Sequence, residues 1–488
     1  MTLKDLLAGV PLLSCDGPES LDIRGLAYSS KAVEPGFLFA ALKGEKRDGM
    51  DFVPEAFSRG AAVVLSDRPK PPGVQGRWVQ VFDAREAVAL SAANFYGKPS
   101  QKMKLVGITG TKGKTTTTFI LESILKTAGF QPGVIGTISY RGPDFEQAAQ
   151  RTTPESPDLQ AMLKDMFDRG VSHCVMEVSS HALELKRVWG ISFDVAVFTN
   201  LSGEHLDFHH TMEEYFAAKK KLFVLNSKKR TAVVNEDDPW GQRLISELPM
   251  STITFGLGPA ALVRGERFKL NGAGIEALVK YPGGQATIAS GLSGKHNLYN
   301  ILASFAVALA LNIPPTAIKD GVAALRQVPG RFEKIENGLG FHVYVDYAHT
   351  DSALRSLLET ARELRPSRII LVFGCGGDRD VSKRERMGEV AGSLADWTFL
   401  TSDNPRSEDP MAIIREIEKG ILKSGSKKYA VVPDRRDAIE QALAFAKKGD
   451  VVLLAGKGHE AYQVLGDRVV PFNDAEVARA VLKTLEAS

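Results

Sequence analysis

The feature that most constrains this chain is the stretch Val106-Gly107-Ile108-Thr109-Gly110-Thr111-Lys112-Gly113-Lys114-Thr115-Thr116-Thr117. Leu105 and Val106 lead into it. Beyond it Ile120, Leu121, Ile124 and Leu125 recur at helical spacing, and Gly129 stands where a C-terminal cap belongs. Strand, glycine turn and helix in that order describe a phosphate-binding loop. The glycines let backbone N–H groups wrap phosphate oxygens and the helix N-terminus adds its dipole. Lys114 reaches the outer phosphates and Thr115 offers a hydroxyl to Mg²⁺. The spacing departs from G-x-x-x-x-G-K-[ST], because Ile108 stands in the first glycine's place and G-x-x-G-T-x-G-K-T remains. An ordinary Gly/Thr turn before a helix explains neither the lysine nor the hydroxyl run. A nucleoside triphosphate is the expected ligand.

A loop of this kind requires a mostly parallel α/β sheet, and 488 residues are too many for one core, so two to four domains are expected. Hydrophobic content of 44% with 24% charged residues is ordinary for a globular protein, and a net charge of +3 is too small to suggest nucleic acid. Cys15, Cys174 and Cys375 lie far apart without CxxC spacing, which argues against a disulfide framework or a zinc site. No apolar run is long enough to span a membrane, and MTLKDLLAGVPLL lacks the plan of a signal peptide, so a cytoplasmic location is expected.

Three blocks follow. In residues 1–98 we expect a small α/β unit, with strands at Ile23–Ser29, Phe37–Leu42 and Ala61–Ser66, helices at Pro54–Ser58 and Asp83–Tyr96, and a linker at 97–100. Ser29-Ser30-Lys31 follows a strand and suits either a phosphate or uridine contact or an ordinary Ser-rich turn. In residues 99–331, Val171–Val178 and Asp194–Leu201 read as buried strands. Glu177, Ser179, Ser180 and His181 gather at the end of the first, and Asn200, Glu204, His205 and Asp207 at the end of the second. Ligands of open α/β sheets bind there, which makes Glu177 and His205 candidate Mg²⁺ ligands. His296, Asn297 and Asn300 open a helix and either face a base or cap it. In residues 332–488, strands are expected at Arg368–Phe373, Trp397–Thr401, Tyr429–Val432 and Val451–Ala455. Their turns carry Gly374–Asp380, Asp403-Asn404-Pro405-Arg406 and Gly456-Lys457-Gly458-His459-Glu460. The first fails as a dinucleotide fingerprint, since Arg379 replaces the third glycine of G-x-G-x-x-G. Pooled Arg, Asp and Glu suit a small zwitterion, Arg for carboxylate and Asp or Glu for ammonium.

Together these blocks resemble the Mur ligase family, ATP-dependent amide-forming enzymes of peptidoglycan precursor synthesis. GTKGKTTT, MEVSSHAL, FTNLSGEHLDFH, GKHNLYN, VPGRFE, VDYAHT and GKGHEAYQ resemble its blocks in order over nearly the whole chain. DNPR at Asp403–Arg406 resembles the signature of members that add meso-2,6-diaminopimelate. The resemblance implies three domains: a small N-terminal α/β domain (1–98) that binds the UDP substrate, a central P-loop ATPase-type parallel sheet (99–331), and a C-terminal Rossmann-like domain (332–488) for the amino acid. It implies ATP held by Gly110, Thr111, Lys112, Gly113, Lys114, Thr115 and Thr116, and magnesium held by Thr115, Glu177, His205 and Lys219, the last as a carbamate. Read as a bare sequence, Lys219-Lys220-Lys221 is a solvated helix face, so the resemblance alone singles out Lys219. By the same resemblance Lys114, Lys219 and His205 are catalytic. Ser30, Thr152, Thr153, Ser179 and Arg187 contact UDP-N-acetylmuramoyl-L-alanyl-D-glutamate, and Arg379, Asp403, Asn404, Pro405, Arg406, Gly456 and Glu460 grip diaminopimelate. Two departures stand out: Asp351-Ser352 follows Asp346–Thr350 where the family has a proline, and Glu204 and Phe208 replace Asp and Tyr.

The implied chemistry activates the D-glutamyl γ-carboxylate as an acyl phosphate, which the amine of diaminopimelate attacks, releasing phosphate. His459 or Glu460 is a candidate base for the ammonium proton, and Arg406 a candidate partner of the distal carboxylate that L-lysine lacks. A monomer is expected, with the C-terminal domain swinging about Pro329-Gly330-Arg331 to exclude water. Competing readings are an L-lysine-adding relative, a folylpolyglutamate synthetase, a P-loop kinase and a nucleotide-gated binding module without catalysis.

Overall fold

Runs of apolar residues buried on both faces decide the architecture. In Ile369–Phe373 the side chains of Leu371 and Phe373 enter one core and those of Ile370 and Val372 the other, and Val451–Ala455 divides in the same way. A strand with an apolar partner on each side needs helices above and below it, which is the parallel arrangement. Each such fully buried aliphatic side chain contributes about 1.5–3 kcal/mol relative to exposure. The computed structural model describes residues 1–44, 47–225, 230–271 and 274–487. It forms two compact units: Met1–Arg264 with Lys280–Gly284 and Tyr299–Gly321, and Gly265–Val279 with Gln285–Leu298 and Val322–Ser488.

The first unit holds two sheets. The N-terminal one has five strands in the order Leu12–Cys15, Arg77–Val81, Val63–Ser66, Phe37–Ala40 and Gly25–Ala27, parallel except for the first. The expected strand 23–29 shortens to Gly25–Ala27, while Leu12–Cys15 and Arg77–Val81 gave no clear signal. Leu12–Cys15 is exposed along its whole length, so it lacks the alternation that reveals a strand. The helix Ala84–Phe95 starts on Asp83, whose side chain accepts from Glu86 N–H.

In the other sheet of this unit the parallel strands run Thr252–Gly256, Thr231–Asn235, Val195–Phe198, Lys104–Thr109, His173–Glu177 and Pro132–Ile135. Glu177 pairs with Ile108 and Phe198 with Thr109, so the three central strands end level. That shared end is where a ligand can meet all three.

The second unit is built on a six-stranded sheet in the order Glu333–Ile335, His342–Asp346, Val451–Ala455, Ile369–Phe373, Trp397–Leu400 and Tyr429–Val431, parallel except for the first. The four strands expected here are present. The hairpin Tyr462–Leu465 with Arg468–Pro471 was not expected. No helix among the described residues is long and apolar enough to cross a membrane.

Candidate active site

The phosphate loop sits between Lys104–Thr109 and the helix Lys114–Thr127, as its glycines require. Gly110 has φ 147° and Gly113, which caps the helix, φ 90°. A Cβ on Gly110 would lie 1.9 Å from Thr199 Oγ1, and one on Gly113 2.4 Å from Asn300 Oδ1. Neighbours pin the loop from the next strand end: Asn200 Oδ1 accepts from Lys112 N–H at 3.0 Å, and Thr199 Oγ1 donates to Lys112 O at 2.7 Å. Thr111 Oγ1 accepts from Ser202 N–H at 3.0 Å. Lys114 Nζ curls over the loop, donating to Gly110 O at 2.8 Å and Thr111 O at 3.0 Å. Thr116 is buried in the first turn of the helix. Asn297 Nδ2 donates to Ser293 O at 2.8 Å, just before the helix Lys295–Ala310.

Below the loop, Glu177 is 1% exposed and hydrogen-bonded on all sides. Its Oε2 accepts from Thr115 Oγ1 at 3.0 Å and from Thr137 Oγ1 at 2.9 Å, its Oε1 from Thr137 N–H at 2.8 Å. Thr137 Oγ1 also lies 3.1 Å from Thr152 Oγ1, and Thr153 Oγ1 donates to Glu177 O at 2.9 Å. A hydroxyl and a carboxylate oxygen side by side are the hard donors that Mg²⁺ takes, with water and phosphate oxygens completing its shell. Among the described residues no cluster of three or more His, Cys, Asp or Glu forms a closed metal cage.

Lys219 departs from what three consecutive lysines suggest. It is 1% exposed, with Nζ donating to Gly110 O at 2.9 Å and lying 4.4 Å above the Tyr215 ring. Lys220 and Lys221 instead pair with Glu247 and Glu184 at the surface. Burial, reinforced by Lys114 and opposed by Glu204, holds the Lys219 ammonium well below its ordinary range. The neighbouring rings are His181, His205, Phe208 and His209, with His205 in the left-handed region at φ 59°. Desolvation pulls the His205 imidazole down to about 4, aided by His181, Lys114 and Lys219 and opposed by Glu204. Because His205 as a whole is exposed, water softens that shift. His209, 3% exposed and stacked on Tyr215, is pulled to about 4 by burial without that relief.

The residues expected to meet a nucleotide sugar fall into two groups. Ser30 is buried and donates to Glu55 Oε2 at 2.8 Å. Among the described residues, no hydrogen bond joins it to Thr152, Thr153, Ser179 or Arg187. Those four do lie together: Ser179 N–H donates to Thr153 Oγ1 at 3.1 Å, and Arg187 Nη1 to Thr153 O at 3.2 Å. Ser179 Oγ caps the helix Ser180–Glu184. Sequence reasoning missed Glu155, on which Arg187, Arg151 and Arg85 converge at 2.9, 2.8 and 3.7 Å. Three guanidiniums around one carboxylate leave a positive excess suited to an anionic substrate.

In the second unit the turns after Phe373, Leu400 and Ala455 come together at one sheet end. Gly456 has φ 112°, and a Cβ there would lie 2.7 Å from Asp403 Oδ2. Asp403 is buried, and that burial raises its carboxyl above the ordinary range, against the pull of Arg435 and Lys457. Asn404 Nδ2 donates to Glu460 Oε2 at 2.9 Å. Arg406, at φ 53°, donates from Nη1 to Gly377 O at 2.6 Å, and its backbone bridges to Leu465 in the unexpected hairpin. Arg379 is exposed on the first turn, with Pro405 buried opposite, its carbonyl 1.9 Å from where a Cβ on Gly377 would stand. His459 is held neutral, at about 4, by burial and Arg331. Lys457, named in the sequence only as part of its turn, is wholly buried among these groups.

Family models described as the Mur ligase family catalytic domain, the Mur ligase middle domain and the Mur ligase glutamate ligase domain match residues 22–96, 108–308 and 330–458. The chain is 45% identical over 99% of its length, and 98% of the relative's, to a UDP-N-acetylmuramoyl-L-alanyl-D-glutamate–2,6-diaminopimelate ligase of Solibacter usitatus. It is 45% identical, over 100% and 99%, to the protein of the same name from Geobacter metallireducens. A solved structure of an enzyme of that name superposes with a TM-score of 0.72 at 30% identity, covering 100% of both chains.

Proposed function

The chain belongs to the Mur ligase family, and from that premise we propose that it joins meso-2,6-diaminopimelate to UDP-N-acetylmuramoyl-L-alanyl-D-glutamate in the cytoplasm. The reaction converts ATP to ADP and phosphate and supplies a precursor of peptidoglycan. The observation that carries this reading is the turn Asp403-Asn404-Pro405-Arg406, buried up to Pro405, beside Gly456 and Glu460, in a chain that also holds a phosphate loop.

A carboxylate is a poor acyl donor because attack by an amine must expel an oxide. Transfer of the γ-phosphoryl group of ATP to the D-glutamyl γ-carboxylate supplies a good leaving group. Gly110, Thr111, Lys112, Gly113, Thr115 and Thr116 hold the phosphates in this reading, and Lys114 releases Gly110 O and Thr111 O to offset charge on the transferring oxygens. Bound magnesium supplies Lewis-acid neutralisation of phosphate charge, held by Thr115, Glu177, His205 and Lys219 as a carbamate. The depressed ammonium of Lys219 favours the neutral amine, the form that adds to CO₂. Neutral His205 offers a nitrogen rather than a repelling cation. Ser30, Thr152, Thr153, Ser179 and Arg187 position the nucleotide sugar. In the second unit Asp403 and Glu460 receive the ammonium, while Arg379, Arg406 and Asn404 receive carboxylate. The amine attacks the acyl carbon, the tetrahedral adduct collapses, and phosphate departs with the former carboxylate oxygen. His459 or Glu460 takes the ammonium proton beforehand. The domains 1–98, 99–331 and 332–488, and a monomeric enzyme, complete the proposal.

The test is phosphate release with ATP and the UDP-muramoyl dipeptide, adding diaminopimelate, L-lysine or no amine. Release that depends on diaminopimelate and not on L-lysine is expected. Equal release with L-lysine would favour the lysine-adding reading, and ADP formed without phosphate release would favour a kinase, whose phosphate stays on the product.

A further inference from the structure

Lys457 is the residue of the second unit whose burial most needs explaining. It is 0% exposed, and an ammonium so far from water is tolerated only beside close anionic or polar partners. Its Nζ donates to Glu460 Oε2 at 3.0 Å and Asn404 Oδ1 at 3.3 Å, with Asp403 Oδ1 3.9 Å away. These contacts fix both ends of the Asn404 amide. Its Oδ1 accepts from Lys457 and from Val464 N–H at 3.0 Å, so Nδ2 faces Glu460. Glu460 Oε2 therefore takes two donors, while its Oε1 takes none among the described residues.

The charges around this point do not cancel. Arg435, fully buried, is paired with Asp474 at 2.6 Å and reaches Asp403 only through space, so Lys457 is the one cation in ion-pair contact with both Asp403 and Glu460 among the described residues. One negative charge remains for a cation to neutralise. The other acids facing Asp403 stay protonated near neutrality. Burial lifts the Tyr347 hydroxyl and the Cys375 thiol to about 12, and raises the Tyr462 hydroxyl as well.

We propose that Lys457 is a positioning residue for amino-acid recognition: it cancels one of two facing carboxylates and locks the Asn404 amide. Glu460 Oε1 and the second Nδ2–H of Asn404 are thereby left for the ammonium and a carboxylate of the incoming amino acid. This deepens the proposed function and rests on it. Without the lysine, Asp403 and Glu460 face each other with no counter-ion of their own. Asp403, whose carboxyl burial already raises, then takes up a proton as the pH falls.

The experiment measures KM for meso-diaminopimelate by phosphate release from pH 6 to 8.5, for wild type, Lys457→Met, Glu460→Gln and the double variant. Lys457→Met is expected to raise this KM at least tenfold at pH 7, and the ratio to wild type is expected to shrink as the pH rises. KM for ATP is expected to stay within about twofold, as a local charge effect requires. Because part of the effect of Lys457 runs through Glu460, the double variant is expected to stay well below the product of the two single effects. A ratio that does not change with pH, or a double variant whose KM is the product of the two single effects, overturns the role. If Lys457→Met fails to fold for want of a buried counter-charge, the double variant buries neither charge and still decides. A KM well short of tenfold above that of Glu460→Gln supports the proposal, and a further tenfold rise overturns it. A wild type that releases phosphate no faster with diaminopimelate than without it fails the proposed function instead, which separates the two outcomes.

Discussion

Single side chains carry most of the chemistry, and two of them have consequences that can be measured. His209 is neutral in the folded chain, with its imidazole held at about 4 by burial. An unfolded histidine protonates near 6.5, so between these values the unfolded state binds the extra proton and stability falls as the pH drops. The loss amounts to about 3 kcal/mol by pH 4, and is absent above pH 7. Replacing His209 by Phe keeps the stack on Tyr215 and is expected to reduce the fall in Tm between pH 7 and 4.5; an unchanged slope would assign that fall elsewhere. Arg406 carries discrimination. Arg406→Ala is expected to cut the preference for diaminopimelate over L-lysine on the order of a hundredfold, because a lost guanidinium fork strands a carboxylate. Competition between the two amines in one assay reads this directly, and an unaltered preference would remove Arg406 from that role.

Elements place these side chains, and here the sequence was legible wherever burial writes a pattern. The helix Lys114–Thr127 ends at the foreseen Gly129, which has φ 86°, and the strands of the second unit appear as read, since each is apolar on both faces. Leu12–Cys15 and the hairpin Tyr462–Leu465 with Arg468–Pro471 were not legible, because edge strands with exposed residues lack alternation. Lys219 and Lys457 fail for a related reason: only the fold shows that a helix turns one lysine inward, or that a turn closes over another. The phosphate loop is the element with the least tolerance. Gly113→Ala places a methyl group 2.4 Å from Asn300 Oδ1 at a φ of 90°. We expect KM for ATP to rise at least tenfold and stability to fall by about 1–3 kcal/mol. Nucleotide binding by calorimetry checks the first and denaturant midpoints the second; wild-type values for both would mean the loop relaxes freely.

For the whole molecule, the account requires two chemical tasks in one chain: activation of an acid on the phosphate loop and delivery of an amine from the Asp403–Arg406 turn. Lys114→Ala is expected to abolish ATP consumption while diaminopimelate binding persists, and activity without a lysine at 114 would contradict the loop's role. The roles of the individual site residues were legible only through the resemblance, since spacing alone left Ser30, Glu177 and His205 open to ordinary structural readings. The central claim is that the γ-carboxylate oxygen passes to phosphate through a mixed anhydride. Substrate carrying ¹⁸O in the D-glutamyl γ-carboxylate tests this with mass analysis of the released phosphate. The account predicts one ¹⁸O per phosphate formed with the amide; amide formation with unlabelled phosphate would contradict it.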